Sequence, residues 1–326
     1  MMDLLGIQDF DPFCAELTAI FERIQPLAEG RVATYIPQLA RANPDTFAMA
    51  LCTVEGKRFA LGDSQVPFSL QSTSKPTNYC LVHEELGEEV VHRHVGREPS
   101  GRVFNEISLN AKGLPHNPLI NAGAIMCCSL IRPDLGSADR FDHVSHTWER
   151  LTGGTRPAFN NAIYLSERQS ADRNFALAYL MREHKVFPPD TDLMETLELY
   201  FQCCSLELDA EALCVAAATL AAGGICPLTG ERVFSARTVR NCLSLMASCG
   251  MYDFSGEFAF AIGLPAKSGV SGALMVVIPN VLGLCLYSPP LDQHGNSVRG
   301  VAFCRALVER YPFHLFDILA GMGRAD

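Results

Sequence analysis

Lysine is nearly missing from this chain. Of its 26 basic residues only Lys57, Lys75, Lys112, Lys185 and Lys267 are lysines, and the rest are arginine. Arginine therefore serves as the general surface cation. A lysine kept against that bias is a candidate for what arginine cannot do, which is to give up its proton near neutral pH. An excess of positive charge is also missing. The 26 basic residues face 36 acidic ones, a formal net charge of −10, and no block of like charge stands out. Nucleic acid and anionic membrane are poor partners for such a surface. No apolar run reaches the roughly 20 residues of a membrane-spanning helix; the longest are broken at Gly223-Gly224 and Pro279-Asn280. The start, Met1-Met2-Asp3-Leu4-Leu5, has no basic segment and no long apolar one, so no signal peptide is expected and the cytoplasm is the expected location.

Several motifs are absent as well. There is no G-x-G-x-x-G, no phosphate-binding G-x-x-x-x-G-K-[ST], no C-x-x-C and no G-x-S-x-G. Dinucleotide, nucleotide-hydrolase, zinc and nucleophile-elbow readings fail with them. His92-x-His94 and His143-x-x-His146 lack the i, i+4 spacing of a helical zinc pair and read as surface or loop residues. Cysteine is plentiful, at 13, but the odd count forbids complete internal pairing. Cys127-Cys128, Cys203-Cys204, Cys52, Cys214, Cys226 and Cys285 sit in apolar company, which suits buried thiols of a reducing compartment.

At 48 % hydrophobic and 19 % charged the chain cannot be mostly disordered, and its 326 residues suffice for two lobes around a sizeable core. Phe10 to Leu27 has the apolar spacing of an amphipathic helix. Phe47 to Leu61 reads as a hairpin turning at Glu55-Gly56. Residues 72–248 read as mostly helical, with helices at Asn174–Glu183, Leu193–Leu206, Ala210–Ala222 and Ala236–Ser248. Strands are expected at Phe258–Ile262, Ala273–Ile278 and Val281–Tyr287, then a closing helix from Ser297 to Tyr311. Strands at both ends around a helical middle predict an α/β (α+β) fold in one catalytic domain, 1–326. Its sheet lobe comes from about 1–70 and 255–326, its helical lobe from about 71–254. The functional site is expected where the lobes meet.

Two of the five lysines fall in motifs that belong together. Ser72-Thr73-Ser74-Lys75 is an S-x-x-K at a strand-to-helix transition, where the amine can accept the serine's proton. Alone it is weak, since a chain this long yields about one chance match. Lys267-Ser268-Gly269, before a predicted strand, is the K-[ST]-G that accompanies S-x-x-K in serine acyl-transfer enzymes. A looser group comprises Asn121, Glu167, Asn174, Tyr200 and Tyr252, with Tyr200 ending a helical segment and Glu167 and Asn174 flanking an irregular stretch. A carboxylate with amides would suit a zwitterionic amino acid.

Tyr35-Ile36-Pro37-Gln38-Leu39, Val66 to Ser72, Glu98-Pro99-Ser100-Gly101, Phe104-Asn105, His116 to Ile125, Gly250-Met251-Tyr252-Asp253, Ser255-Gly256 and Gly263 to Val270 carry a further signal. With these segments, spread from about Arg31 to Pro290, the chain resembles the serine-dependent glutaminases, bacterial and mammalian. The resemblance implies a β-lactamase/DD-peptidase-like fold, with an antiparallel sheet from both ends of the chain, and hydrolysis of L-glutamine to L-glutamate and ammonia without metal or organic cofactor. By motif position Ser72 corresponds to the nucleophile, Lys75 to its activating partner and Lys267 to the K-[ST]-G lysine. Tyr200 and Tyr252 match proton-transfer and substrate-contact tyrosines. Asn121, Glu167 and Asn174 match residues that bind the α-amino and α-carboxylate groups, and Tyr35 a further substrate contact. Val270 matches the residue whose N–H completes the oxyanion hole with that of Ser72. A homo-oligomer, dimer or tetramer, is implied too. The chain departs from many members in Ser271-Gly272-Ala273, lacks an evident S-D-N element, and carries no ankyrin repeats, so a compact bacterial-type enzyme is expected. An S-x-x-K esterase or peptidase-like hydrolase, or a silent amino-acid-binding protein, are the alternatives on the same residues.

Overall fold

Alternation within Ala48–Thr53 sets the architecture. In the computed structural model, which describes residues 9–101 and 107–320, this segment is a strand buried along its whole length. Met49 and Leu51 face one apolar cluster, while Ala48, Ala50 and Cys52 face another. A period of two thus divides the strand between two cores. The first core is built from the Phe10–Ile24 and Val298–Arg310 helices, the second from the Ala210–Ala221 helix and the helical lobe behind it.

The strands are β1 (Ala48–Thr53), β2 (Arg58–Gly62), β3 (Phe68–Ser69), β4 (Ala158–Phe159), β5 (Leu206–Leu208), β6 (Ala266–Ser268), β7 (Ala273–Ile278) and β8 (Leu282–Tyr287). Five form one antiparallel sheet in the order β2-β1-β8-β7-β6, so N- and C-terminal strands pair at its centre. Register aligns Leu51, Leu284 and Val276 on one face and Ala50, Cys285 and Met275 on the other. A small sheet, β3-β5-β4, ties the segment before Ser72 to the helical lobe.

Gly283 explains how closely the sheet and the alanine-rich Ala210–Ala221 helix approach. A Cβ there would overlap the Ala217 and Ala218 backbone. Gly283→Ala is therefore expected to lower stability by about 3 kcal/mol through overpacking. Urea unfolding checks this, and an unchanged midpoint would mean that the helix can move away.

The hairpin turns at Gly56, with φ +87°, and the long helices match their predicted ranges within a few residues. All 13 cysteines are free and buried. Three expectations need correction. Phe258–Ile262 is not a strand; a helix covers Ser255–Ala261, and the edge strand is Ala266–Ser268. On a strand Phe258, Phe260 and Ile262 would share a face, yet Phe258 and Ile262 are buried and Phe260 is 84 % exposed. That is the i, i+4 pattern of a helix, which a five-residue Phe-Ala alternation cannot exclude. The helix from Leu193 ends at Cys204, leaving Tyr200 in its interior and Leu206 to open β5. Glu167 and Asn174 lie on two helices, Asn161–Gln169 and Asp172–Glu183, with only Ser170-Ala171 between them. Phe104-Asn105 lies outside the described residues.

Candidate active site

The nucleophile candidate is placed by the small sheet. Phe68 pairs with Leu208 in β5, and Leu70 N–H donates to the Leu206 carbonyl at 2.7 Å. The chain then turns through a 3₁₀ segment, Gln71–Ser74, into the Lys75–Leu86 helix. Gln71 stands at φ +47°, a left-handed state that a non-glycine residue holds only when its surroundings fix it. Its surroundings do so, because Thr73 Oγ1 and Ser74 Oγ donate to the Leu70 and Gln71 carbonyls at 2.6 and 2.7 Å.

Ser72 and Lys75 meet at this turn. Lys75 Nζ donates to Ser72 Oγ at 2.8 Å and to Asn121 Oδ1 at 2.8 Å. Both acceptors are neutral, and the lysine is fully buried, so the ammonium loses its water without gaining a contacting carboxylate. Burial lowers its pKa to about 8, against weaker raising by Cys204, Glu167 and Cys128. The result is an amine available in its neutral form close to the serine hydroxyl.

Asn121 relays the contact outward, its Nδ2 donating to Asn174 Oδ1 at 3.1 Å. Asn174 Nδ2 has no hydrogen-bond partner among the described residues. Glu167 Oε1 accepts from Tyr35 OH at 2.6 Å and from Gln71 Nε2 at 2.9 Å, while Oε2 is unpartnered among the described residues. Burial raises the Glu167 carboxyl above the ordinary carboxylate range, opposed by those two hydrogen bonds and by Lys75. Tyr35 is half-exposed at 49 %, with its hydroxyl turned inward to Glu167 and to Gln71 Oε1 at 3.0 Å. Tyr200 is buried, with Cys204 one turn on along the same helix, and its phenol is held well above its usual range by burial.

On the sheet side, Tyr252 OH donates to the Ser268 carbonyl at 2.9 Å, and the phenol is near enough to the Ser72 side chain to be influenced by it. Burial raises this phenol, and the contact with Ser72 pulls the other way. Lys267 is one remove further back. Its Nζ donates to the Ser268 and Gly250 carbonyls at 2.6 and 3.1 Å and lies 4.3 Å from the Tyr252 ring centre. Burial, then the charge of Lys75, depresses its pKa strongly. Gly269 lies against the nucleophile turn, where a Cβ would come within 3.1 Å of the Leu70 carbonyl oxygen. Val270 follows directly in the chain, and among the described residues its N–H donates to no backbone carbonyl.

The structure thus gathers Ser72, Lys75, Asn121, Asn174, Glu167, Tyr35 and Tyr252 around one turn at the junction of the lobes, with Gly269 packed on that turn and Val270 next to it in the chain. Gln71, which sequence reasoning passed over as a site residue, joins Tyr35 to Glu167; its only sequence signal is adjacency to Ser72. The histidine pairs lie elsewhere. His92 Nε2 meets Tyr79 OH at 3.0 Å and His143, on a helix, meets Glu85 at 2.6 Å. No group of His, Cys, Asp and Glu among the described residues is arranged to hold a metal.

Comparison with known proteins points the same way. A family model described as Glutaminase matches residues 30–316. The liver isoform of mitochondrial glutaminase from Rattus norvegicus is 51 % identical over 318 residues, covering 98 % of this chain and 53 % of that protein. A Nostoc glutaminase is 41 % identical over 310 residues, 94 % of this chain and 91 % of its own. The chain spans about half the length of the animal relatives it matches. A solved structure of Mglu in its glutamate form superposes with TM-score 0.88 at 38 % identity, covering 94 % of this chain and 70 % of that one. The fold is the β-lactamase-like α/β fold expected from the resemblance.

Proposed function

The chain belongs to the glutaminase family, and from that premise we propose that it hydrolyses L-glutamine to L-glutamate and ammonia through a γ-glutamyl ester on Ser72. The observation that carries this reading is the 2.8 Å contact between Ser72 Oγ and a buried Lys75 amine that faces only neutral oxygens.

Ser72 Oγ attacks the side-chain amide carbon as its proton passes to neutral Lys75, with Tyr252 beside the same hydroxyl. The tetrahedral oxyanion accepts from the Ser72 and Val270 N–H groups, each donor contributing about 3 kcal/mol. The carbon–nitrogen bond then breaks, the nitrogen taking a proton from the Lys75–Tyr252 pair to leave as ammonia. Water attacks the ester by the reverse relay and releases glutamate. At the other end of the substrate, the free Oε2 of Glu167 takes the α-ammonium and the free Nδ2 of Asn174 the α-carboxylate. Lys267 holds Tyr252 and the Ser268 carbonyl in place.

One catalytic unit spanning 1–326 and a cytoplasmic location belong to the same proposal and rest on the sequence pattern, while a dimeric or tetrameric state rests on the resemblance. No helix among the described residues is long and apolar enough to cross a membrane.

Ammonia release from glutamine, measured beside asparagine, tests the reaction. Recognition is tested separately. Glu167→Gln removes a contact present in ground and transition states alike, so KM should rise about ten-fold or more while kcat falls less. An unchanged KM would remove Glu167 from the substrate's ammonium.

A further inference from the structure

Tyr252 occupies a backbone position that needs support from outside its own turn. It stands at φ +57°, at the head of a 3₁₀ turn, Tyr252–Phe254. Hydrogen bonds within the turn, Met251 N–H to Ser255 Oγ at 3.0 Å and Ser255 Oγ–H to the Tyr252 carbonyl at 2.6 Å, shape it without anchoring it. The phenol anchors one end through the Ser268 carbonyl.

The other end is gripped by the segment 291–297. This segment is itself rigid: Leu291 exchanges two 2.9 Å backbone hydrogen bonds with Arg31, and Asp292 Oδ1 accepts from the His294 and Asn296 N–H groups at 2.8 and 2.9 Å. From that base His294 reaches the turn twice. Its Nδ1 lies 3.1 Å from Asp253 Oδ2, and its ring stacks on Phe254 with centroids 5.4 Å apart and planes at 27°. Asn296 Nδ2 adds a long contact, 3.4 Å, to the Met251 carbonyl. Residues flanking Tyr252 on both sides are therefore held from one loop, which also borders the cavity of about 700 Å³ beside Val270.

We propose that His294 is a positioning residue for Tyr252, fixing through Asp253 and Phe254 the turn that aims the phenol at Ser72. This rests on the role given to Tyr252 above. His294 touches none of Ser72, Lys75 or Glu167 among the described contacts, so its effect should appear in turnover rather than in binding.

The experiment compares His294→Ala, Asp253→Ala, the double variant and His294→Asn in the full chain. Each alanine variant should lose about ten-fold in kcat with KM within about two-fold, since small misplacement of a reacting group is costly. The double variant should be no worse than His294→Ala, because Asp253 acts on the turn only through His294. Asparagine, whose amide can stand where Nδ1 stood and donate to Asp253, should recover the part of the loss carried by Asp253 and leave the part carried by the Phe254 stack. Hydrogen exchange over 251–256 should quicken in His294→Ala and stay near wild type elsewhere. An unchanged kcat, a loss confined to KM, or losses that multiply in the double variant would each overturn the proposal. Exchange also separates the two claims. If wild type releases no ammonia yet 251–256 loosens in His294→Ala, the clamp stands and the glutaminase reading falls. If exchange and kcat both stay unchanged while glutamine is hydrolysed, the reverse holds.

Discussion

Ser72→Ala is expected to remain folded and to lose glutamine hydrolysis by roughly four orders of magnitude or more, as removal of a covalent nucleophile does. The side chain is small and sits at the start of a turn held by Thr73 and Ser74, so its hydroxyl is not needed for the local structure. What it takes part in is the 2.8 Å contact with Lys75, with the Tyr252 phenol nearby. Deleting it leaves Lys75 bonded to Asn121 alone, a structural cost of about 1 kcal/mol. The reaction, by contrast, loses the atom that forms the ester. Circular dichroism separates the two effects. Labelling with 6-diazo-5-oxo-L-norleucine should modify wild type at Ser72 and leave the alanine variant unmodified; an adduct on another residue would move the nucleophile elsewhere.

The second large effect concerns Lys75. If the lysine only supplied charge, Lys75→Arg would keep much of the activity. If it must be neutral to take the serine's proton, arginine cannot replace it, since a guanidinium stays protonated throughout the accessible pH range. Burial brings the Lys75 pKa down to about 8. The sign follows: as pH falls through about 8 the amine takes up a proton and can no longer accept one. Activity (kcat/KM) should therefore rise with pH, with a midpoint near 8, and level off above it. Lys75→Arg should be folded and almost inactive, whereas Lys57→Arg and Lys112→Arg, at exposed positions, should be near wild type. Substantial activity in Lys75→Arg would sink the proton-acceptor role and shift it to Tyr252 or Tyr200.

These two residues were also the most legible in the sequence. S-x-x-K and K-[ST]-G are local spacings, and lysine scarcity made them stand out. The central strands were legible for a related reason. Ala48–Thr53, Ala273–Ile278 and Leu282–Tyr287 are buried on both faces, so each reads as an unbroken apolar run bounded by turns. Phe258–Ile262 was misread because five residues of alternating Phe and Ala satisfy both periodicities, and only tertiary burial decides between them. Gln71 was missed because its importance lies in a left-handed backbone and two long-range hydrogen bonds, to Tyr35 and Glu167, neither encoded in a spacing. Lys267 carried the right motif but not its depth. The structure sets it behind Tyr252 and the Ser268 carbonyl rather than on Ser72. His294 had no signal at all, since its partners Asp253 and Phe254 lie some forty residues away and meet it only in the folded chain.

The central claim is that glutamine is cleaved through an acyl group carried on Ser72. It is tested most directly by quenching the wild-type chain in acid while it turns over L-glutamine, then mapping the peptides by mass spectrometry and measuring ammonia in the same samples. The account predicts ammonia release together with a glutamyl ester on the peptide containing Ser72, and neither in Ser72→Ala. No ammonia from glutamine, or ammonia with the acyl group on another residue, would contradict it.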